Sequence, residues 1–214
     1  MEKEAPKVNI KWLLLAAMAI LLVAAVLFTA MPLISEDVKP IVVFRGSPAL
    51  IIETPEKISL KSKEDFTVDV SVTDFGDARY PAASMSISFD KSRLEFLGVE
   101  EGNVFVYDQE TVGKVSQKLP EWGYSTKAAN ADGMINIMYL DVTGGKCSFA
   151  RELLAAEDNV VLRLRFRLRG SARKNDVFDL TVDDAVFAAS DESKSLAMSN
   201  GSLKVKDGKI VVGE

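Results

Sequence analysis

The chain has 214 residues, 48% of them hydrophobic and 27% charged, and a net charge of −5. It has no histidine, which excludes histidine bases, Ser-His-Asp and Cys-His catalysis, and histidine metal ligands together. Its one cysteine, Cys147, excludes an internal disulfide and reads as a small buried apolar residue.

Residues 1–11 carry Lys3, Lys7 and Lys11, diluted by Glu2 and Glu4. An uncharged stretch, 12–35, follows and reads LLLAAMAILLVAAVLFTAMPLI from Leu13 to Ile34. About 20 apolar residues are what an α-helix needs to cross a bilayer. The stretch is too long for a cleaved leader, and Phe28 spoils the small-x-small site such a leader needs. It therefore reads as a single-pass signal anchor. Three lysines before it against Lys39 close behind predict residues 1–11 inside and the rest of the chain outside, at the cell surface. The segment up to Ser35 is net +1, so the remainder carries −6, which argues against a nucleic-acid partner.

Residues 36–48, with Pro40, Gly46 and Pro48, read as a linker, and 49–214 as one domain. Period-two alternation predicts strands in several places. Phe66, Val68, Val70 and Val72 alternate with Thr67, Asp69 and Ser71. Met85, Ile87 and Phe89 alternate with Ser84, Ser86 and Ser88. Ile135, Ile137 and Tyr139 suit a core face, leaving Met134, Asn136, Met138 and Leu140 outward. Leu162, Leu164, Phe166 and Leu168 alternate with Arg163, Arg165 and Arg167. Turn residues separate these runs, including Asp132-Gly133 and Asp207-Gly208, and the whole reads as an all-β sandwich. One helix is predicted at 148–157 (SFARELLAAE), with Ser148 as N-cap and Phe149, Leu153 and Ala156 on one stripe.

No spacing marks a facing carboxylate pair of the kind glycoside hydrolysis needs, although Asp183, Asp184, Asp191 and Glu192 are available. The chain reads as non-enzymatic. Asn130, Asp132 and Gly133 match the middle of an EF-hand loop. In that register the first and twelfth positions fall on Ala128 and Tyr139, where carboxylates are required, so the stretch reads as a turn. No cofactor or metal is expected. Met138 and Leu140, apolar on a face that ought to be wet, mark an interaction surface.

Four stretches carry a resemblance: Ile58 to Val68 (ISLKSKEDFTV), Met85 to Phe96 (MSISFDKSRLEF), Gly133 to Asp141 (GMINIMYLD) and Asn200 to Val205 (NGSLKV). In order and spacing, the domain resembles a cohesin, the receptor module of cellulosome scaffoldins, and the helix near 148–157 is similar to one in the type II branch. The resemblance implies a nine-stranded jelly-roll β-sandwich with one short helix. One sheet would hold strands eight, three, six and five, and the other nine, one, two, seven and four. It implies that the arginine strand lies between strands two and four, opposing Asp69 and Glu95. It also implies a dockerin-like partner, with any calcium on that partner, bound on the first sheet. The residues implied are Ser84, Ser86, Ser88, Asn136, Met138 and Leu140, with Asp179, Thr181 and Asp183 on strand eight. The serines and Asn136 would give specificity, and Met138 and Leu140 affinity. Polysaccharide would then be reached only indirectly.

Two other readings remain. A carbohydrate-binding sandwich would stack sugars on Trp122 and Tyr124, with Tyr107 or Tyr80 as further rings. A structural part of an envelope assembly would use the span as its assembly element.

Overall fold

The computed structural model describes residues 47–61, 64–108, 116–189, 198 and 202–213. The predicted span at 12–35, the linker up to residue 46, Asp191, Glu192 and the start of the stretch at Asn200 lie outside them. Among the described residues, no helix is long and apolar enough to cross a membrane.

The strands are β1 (Ala49–Glu53), β2 (Phe66–Val72), β3 (Ala82–Ser88), β4 (Leu94–Glu101), β5 (Val106–Asp108), β6 (Ser116–Lys118) and β7 (Gly123–Tyr124). Helix α1 (Thr126–Asp132) precedes β8 (Met134–Leu140), β9 (Val160–Leu168), β10 (Val177–Ala188), β11 (Lys204–Lys206) and β12 (Gly208–Val211). One sheet runs β11-β1-β2-β9-β4 and the other β12-β10-β3-β8-β7, with β5-β6 a separate hairpin. Nine of these twelve strands take the neighbour order that the resemblance implied. The count is larger because of the β5-β6 hairpin and the edge strand β12.

Alternation produces this architecture directly. In β8 every second residue is buried, so Ile135, Ile137 and Tyr139 enter the core while Met134, Asn136, Met138 and Leu140 stay out. Val68 and Val70 of β2 meet Leu162 and Leu164 of β9 in register, on the inner face of the facing sheet. At one end of the core Phe149 sits among Phe75, Tyr139 and Phe187, with ring centroids 5.1–5.6 Å away.

The arginine strand is paired as the resemblance implied. Arg163 faces Asp69 on β2 and lies 3.2 Å from it, and Arg167 faces Glu95 on β4. Arg167 also bonds Asp65 at 2.7 Å, and Arg165 reaches Glu100 at 3.4 Å. Such cross-strand pairs contribute roughly 0.2–1 kcal/mol each, at the low end here because they are part-exposed. The face is stitched internally.

The helix lies elsewhere than the sequence pattern indicates. Residues 148–157 form only a single 3₁₀ turn, Arg151–Leu153. Phe149 is instead held extended, exchanging two 3.0 Å backbone hydrogen bonds with Tyr80. The aromatic cluster needs its ring inside, and that tertiary demand overrides a marginal local helix. The α-helix is α1, whose only buried residue is Ala129. Ser125 caps its start, and Gly133, at φ 79°, ends it in the left-handed conformation. Asn130 docks it on the sandwich: its carbonyl oxygen accepts from Phe96 N at 2.9 Å and its amide donates to Phe96 O at 2.7 Å. The side chain thus pairs with β4 as a neighbouring backbone would, and the EF-hand reading has no loop to occupy.

Candidate interaction face

The outer face of β10-β3-β8-β7 is built in rows, since strand neighbours lie about 4.8 Å apart and alternate residues share a face. At one end Leu140, Ala82 and Ala188 form a row, followed by Met138, Ser84 and Val186. Next come Asn136, Ser86 and Asp184. The last row is Met134, Ser88 and Thr181, with Asp183 beside them. The first two rows are mainly apolar and the last two mainly polar and acidic. Met138 and Leu140 are 59% and 61% exposed, so nothing described in this chain covers them. A shallow groove of about 500 Å³ runs over Ser84, Ser86, Asn136 and Met138 to Gly123, Tyr124 and Ser125.

The structure brings Ser84, Ser86, Ser88, Asn136, Met138 and Leu140 together on this face, as the sequence implied. Asp183 joins them, because β10 shifts register between Val182 and Asp184. That shift also turns Asp184 toward Ser86 and Val186 toward Ser84, two positions that strict alternation along β10 does not reveal. Asp179 lies farther along, exposed and 3.8 Å from Lys209 of β12. Thr181 is half-buried opposite Ser88.

Two of the three serines are already engaged. Ser86 Oγ donates to Asn136 Oδ1 at 2.8 Å, and Ser88 Oγ donates to Asp183. Their hydroxyl protons are committed within the face, leaving acceptor lone pairs outward.

At the apolar end, the loop after β8 is wound around Asp141. Its carboxylate accepts from Thr143 N at 2.8 Å, Thr143 Oγ1 at 2.6 Å, Gly145 N at 2.6 Å and Cys147 N at 3.2 Å. The loop holds Val142 beside the face at 88% exposure and buries Cys147. Partial burial alone would raise the Asp141 carboxyl's pKa, but these hydrogen bonds outweigh it and hold it below its usual value. Asp90, in the turn from β3 to β4, is held low chiefly by the Ser92 hydroxyl at 2.5 Å, against burial and with help from Arg93. Both carboxylates therefore contribute stability that is complete above their unfolded value near 3.8 and is lost as pH falls through the lower folded value. Urea midpoints are expected to hold steady from pH 7 to about 5 and fall below about 4. Asp141→Asn should be less stable at pH 7 and show a shallower acid loss; an acid slope equal to that of the parent chain would contradict this account.

The aromatic alternative lacks a platform. Trp122 is half-buried, with its ring centroid 5.9 Å from those of Tyr139 and Phe149. Tyr124 packs edge-on against Phe96. Its hydroxyl lies 3.1 Å from where a Cβ at Gly98 (φ 148°) would sit, a close approach that glycine relieves at a backbone angle it favours. Tyr80 and Tyr107 are buried.

Residues 50–205 match the family model described as the cohesin domain. The chain belongs to the cohesin family. A search of curated proteins finds no match. Among solved structures this cohesin is similar to Coh-OlpC, from a type I cohesin–dockerin complex of Clostridium thermocellum (15% identity, 80% of this chain and 96% of that one, TM-score 0.55). It is similar to Coh-OlpA from another such complex of that organism (14%, 78% and 99%, 0.54). A non-cellulosomal cohesin of Archaeoglobus fulgidus is also similar (12%, 79% and 93%, 0.50). At these identities the likeness establishes the shared fold, and cohesin domains are binding modules without catalytic chemistry.

Proposed function

We propose that this cohesin is a membrane-anchored, extracytoplasmic receptor that captures a dockerin-bearing or analogous protein on its β10-β3-β8 face. The observation that carries the reading is the exposure of Met138 and Leu140 on the outer face of a sheet whose inner face is packed in the core. Apolar residues flanked on one side by hydroxyl and carboxamide groups suit a protein interface, and methionine adapts to a partner's contour. Two cohesins of similar fold come from complexes with dockerins, which supports a partner of that kind. The uncharged stretch at 12–35, preceded by three lysines, supports the anchor and the outward placement of the domain.

The full chain, held in detergent and immobilised, is expected to retain one or a few secreted proteins of its source organism. Because calcium would sit on the partner, a chelator should release them. Retention that the chelator leaves unchanged would contradict the dockerin part of the proposal.

A further inference from the structure

The described residues include four methionines, and they differ sharply in what can reach their sulfur. Met85 and Met198 are 2% and 3% exposed, and Met198 Sδ accepts a hydrogen bond from Gly76 N at 3.2 Å. Met134 and Met138 point outward from β8 and are 36% and 59% exposed. A thioether is oxidised where an oxidant in solvent reaches it, so exposure ranks Met138 first of the four. Met138 also lines the shallow groove that ends at Tyr124, which leaves room for a small oxidant beside it. An extracytoplasmic domain stands outside the reducing cytosol.

The surroundings of Met138 suit the product of oxidation. A methionine sulfoxide is polar, and its oxygen accepts hydrogen bonds. Ser84 stands directly opposite Met138 on β3, and such cross-strand pairs have Cβ atoms about 4.5–5.5 Å apart. Unlike Ser86 and Ser88, Ser84 has a hydroxyl proton that no described residue engages. Asn136, two residues along β8, is oriented by the bond from Ser86 to its Oδ1, which leaves its Nδ2 protons for an acceptor at the surface. In the free domain the new oxygen therefore has donors within reach. Under an apolar partner surface it would be buried without them, which is costly.

We propose that Met138 is a redox modification site through which peroxide loosens capture of the partner. The step is a two-electron oxygen transfer. A sulfur lone pair attacks one oxygen of hydrogen peroxide, the S–O bond forms and the O–O bond breaks. The second oxygen takes the first one's proton and leaves as water, so the sulfur is oxidised and the peroxide reduced. Enzymatic reduction of the sulfoxide reverses the change. Selectivity for Met138 follows from exposure; the effect on capture rests on the proposed reading that this face holds the partner.

The test treats the full chain in detergent with dilute hydrogen peroxide and locates the added oxygen by peptide mass. Met138 is expected to react first and Met134 more slowly. Met85 and Met198 should lag Met138 by roughly tenfold or more, and the melting temperature should not change. Once Met138 is modified, the immobilised chain should retain the secreted proteins of its source organism about ten- to a hundredfold more weakly. Methionine sulfoxide reductase should restore retention. Met138→Leu, whatever its own affinity, should retain the same amount with and without the treatment. Oxidation of Met138 no faster than that of Met85 and Met198 would overturn the inference. Undiminished retention by the treated chain, with retention lost in Met138→Asp, would also overturn it and leave the face reading standing. If Met138→Asp retains the proteins as the parent does, the face reading fails and the inference with it.

Discussion

Met138→Asp is expected to weaken capture of the partner by a hundredfold or more and to leave the melting temperature of the domain unchanged. Met138 sits mid-strand on β8, between Ser84 of β3 and Gly123 of β7. With 59% of it exposed, its side chain contributes little to the core, and surface changes of this kind stay within about 0.5 kcal/mol of stability. In a complex it lies at the apolar centre, where truncating an anchor costs 2 kcal/mol or more. Aspartate adds the desolvation of a charge, and β3, β7 and β8 carry no cation to offset it. Together these exceed about 3 kcal/mol, and each 1.4 kcal/mol is tenfold in affinity. Leu140→Asp should act in the same direction. Titration of the purified partner, with thermal melts alongside, measures both effects; a loss of binding accompanied by unfolding would remove the argument.

Arg151→Ala is expected to be the most damaging change outside the apolar core, lowering stability by about 2–4 kcal/mol. Asp74 follows β2 and is only 4% exposed. Arg151 grips its carboxylate with two bonds, Nε to Oδ1 at 2.8 Å and Nη2 to Oδ2 at 2.9 Å, and Nε also donates to Phe75 O at 2.8 Å. Asp77 closes on the same guanidinium from outside. This fork ties the loop after β2 to the 3₁₀ turn beyond β8 and so pins both ends of the Phe75–Phe149 contact. Removing one partner of a buried pair costs 3–5 kcal/mol, because the other charge stays behind without compensation. The lower figure here reflects an arginine side chain 37% exposed, which lets water reach part of the gap. Arg151→Lys should recover little, since an ammonium cannot form the fork. The double variant with Asp74→Ala should be more stable than Arg151→Ala alone. Urea midpoints at constant m-value decide this.

What could be read in the sequence followed from local chemistry. The alternation in β2, β8 and β9 located those strands and their faces, because a period of two admits no other burial. The outward Met138 and Leu140 followed from it without any tertiary information. The order of strands came through resemblance, since no local pattern states which strands are neighbours. Other features depended on tertiary context. SFARELLAAE has a helical stripe, but Phe149 is worth more inside the aromatic cluster than a short helix is worth on its own. TKAANAD has no apolar stripe to announce α1. Its signals were Ser125 before it and Gly133 after it, and Gly133 was absorbed into the reading of a plain turn. The direction of the serine protons was not legible either, since it depends on Asn136 and Asp183 arriving from other strands. Asp184 and Val186 reach the face only through the register shift in β10.

The central claim is that the β10-β3-β8 face docks the partner, and methionine methyl NMR of the full chain in detergent tests it most directly. Met134 and Met138 are exposed on the face, whereas Met85 and Met198 are buried. Addition of the captured partner is predicted to shift and broaden the Met134 and Met138 signals and to leave Met85 and Met198 close to their free positions. Unmoved Met134 and Met138 signals at saturating partner would show that the partner docks elsewhere and would contradict the account.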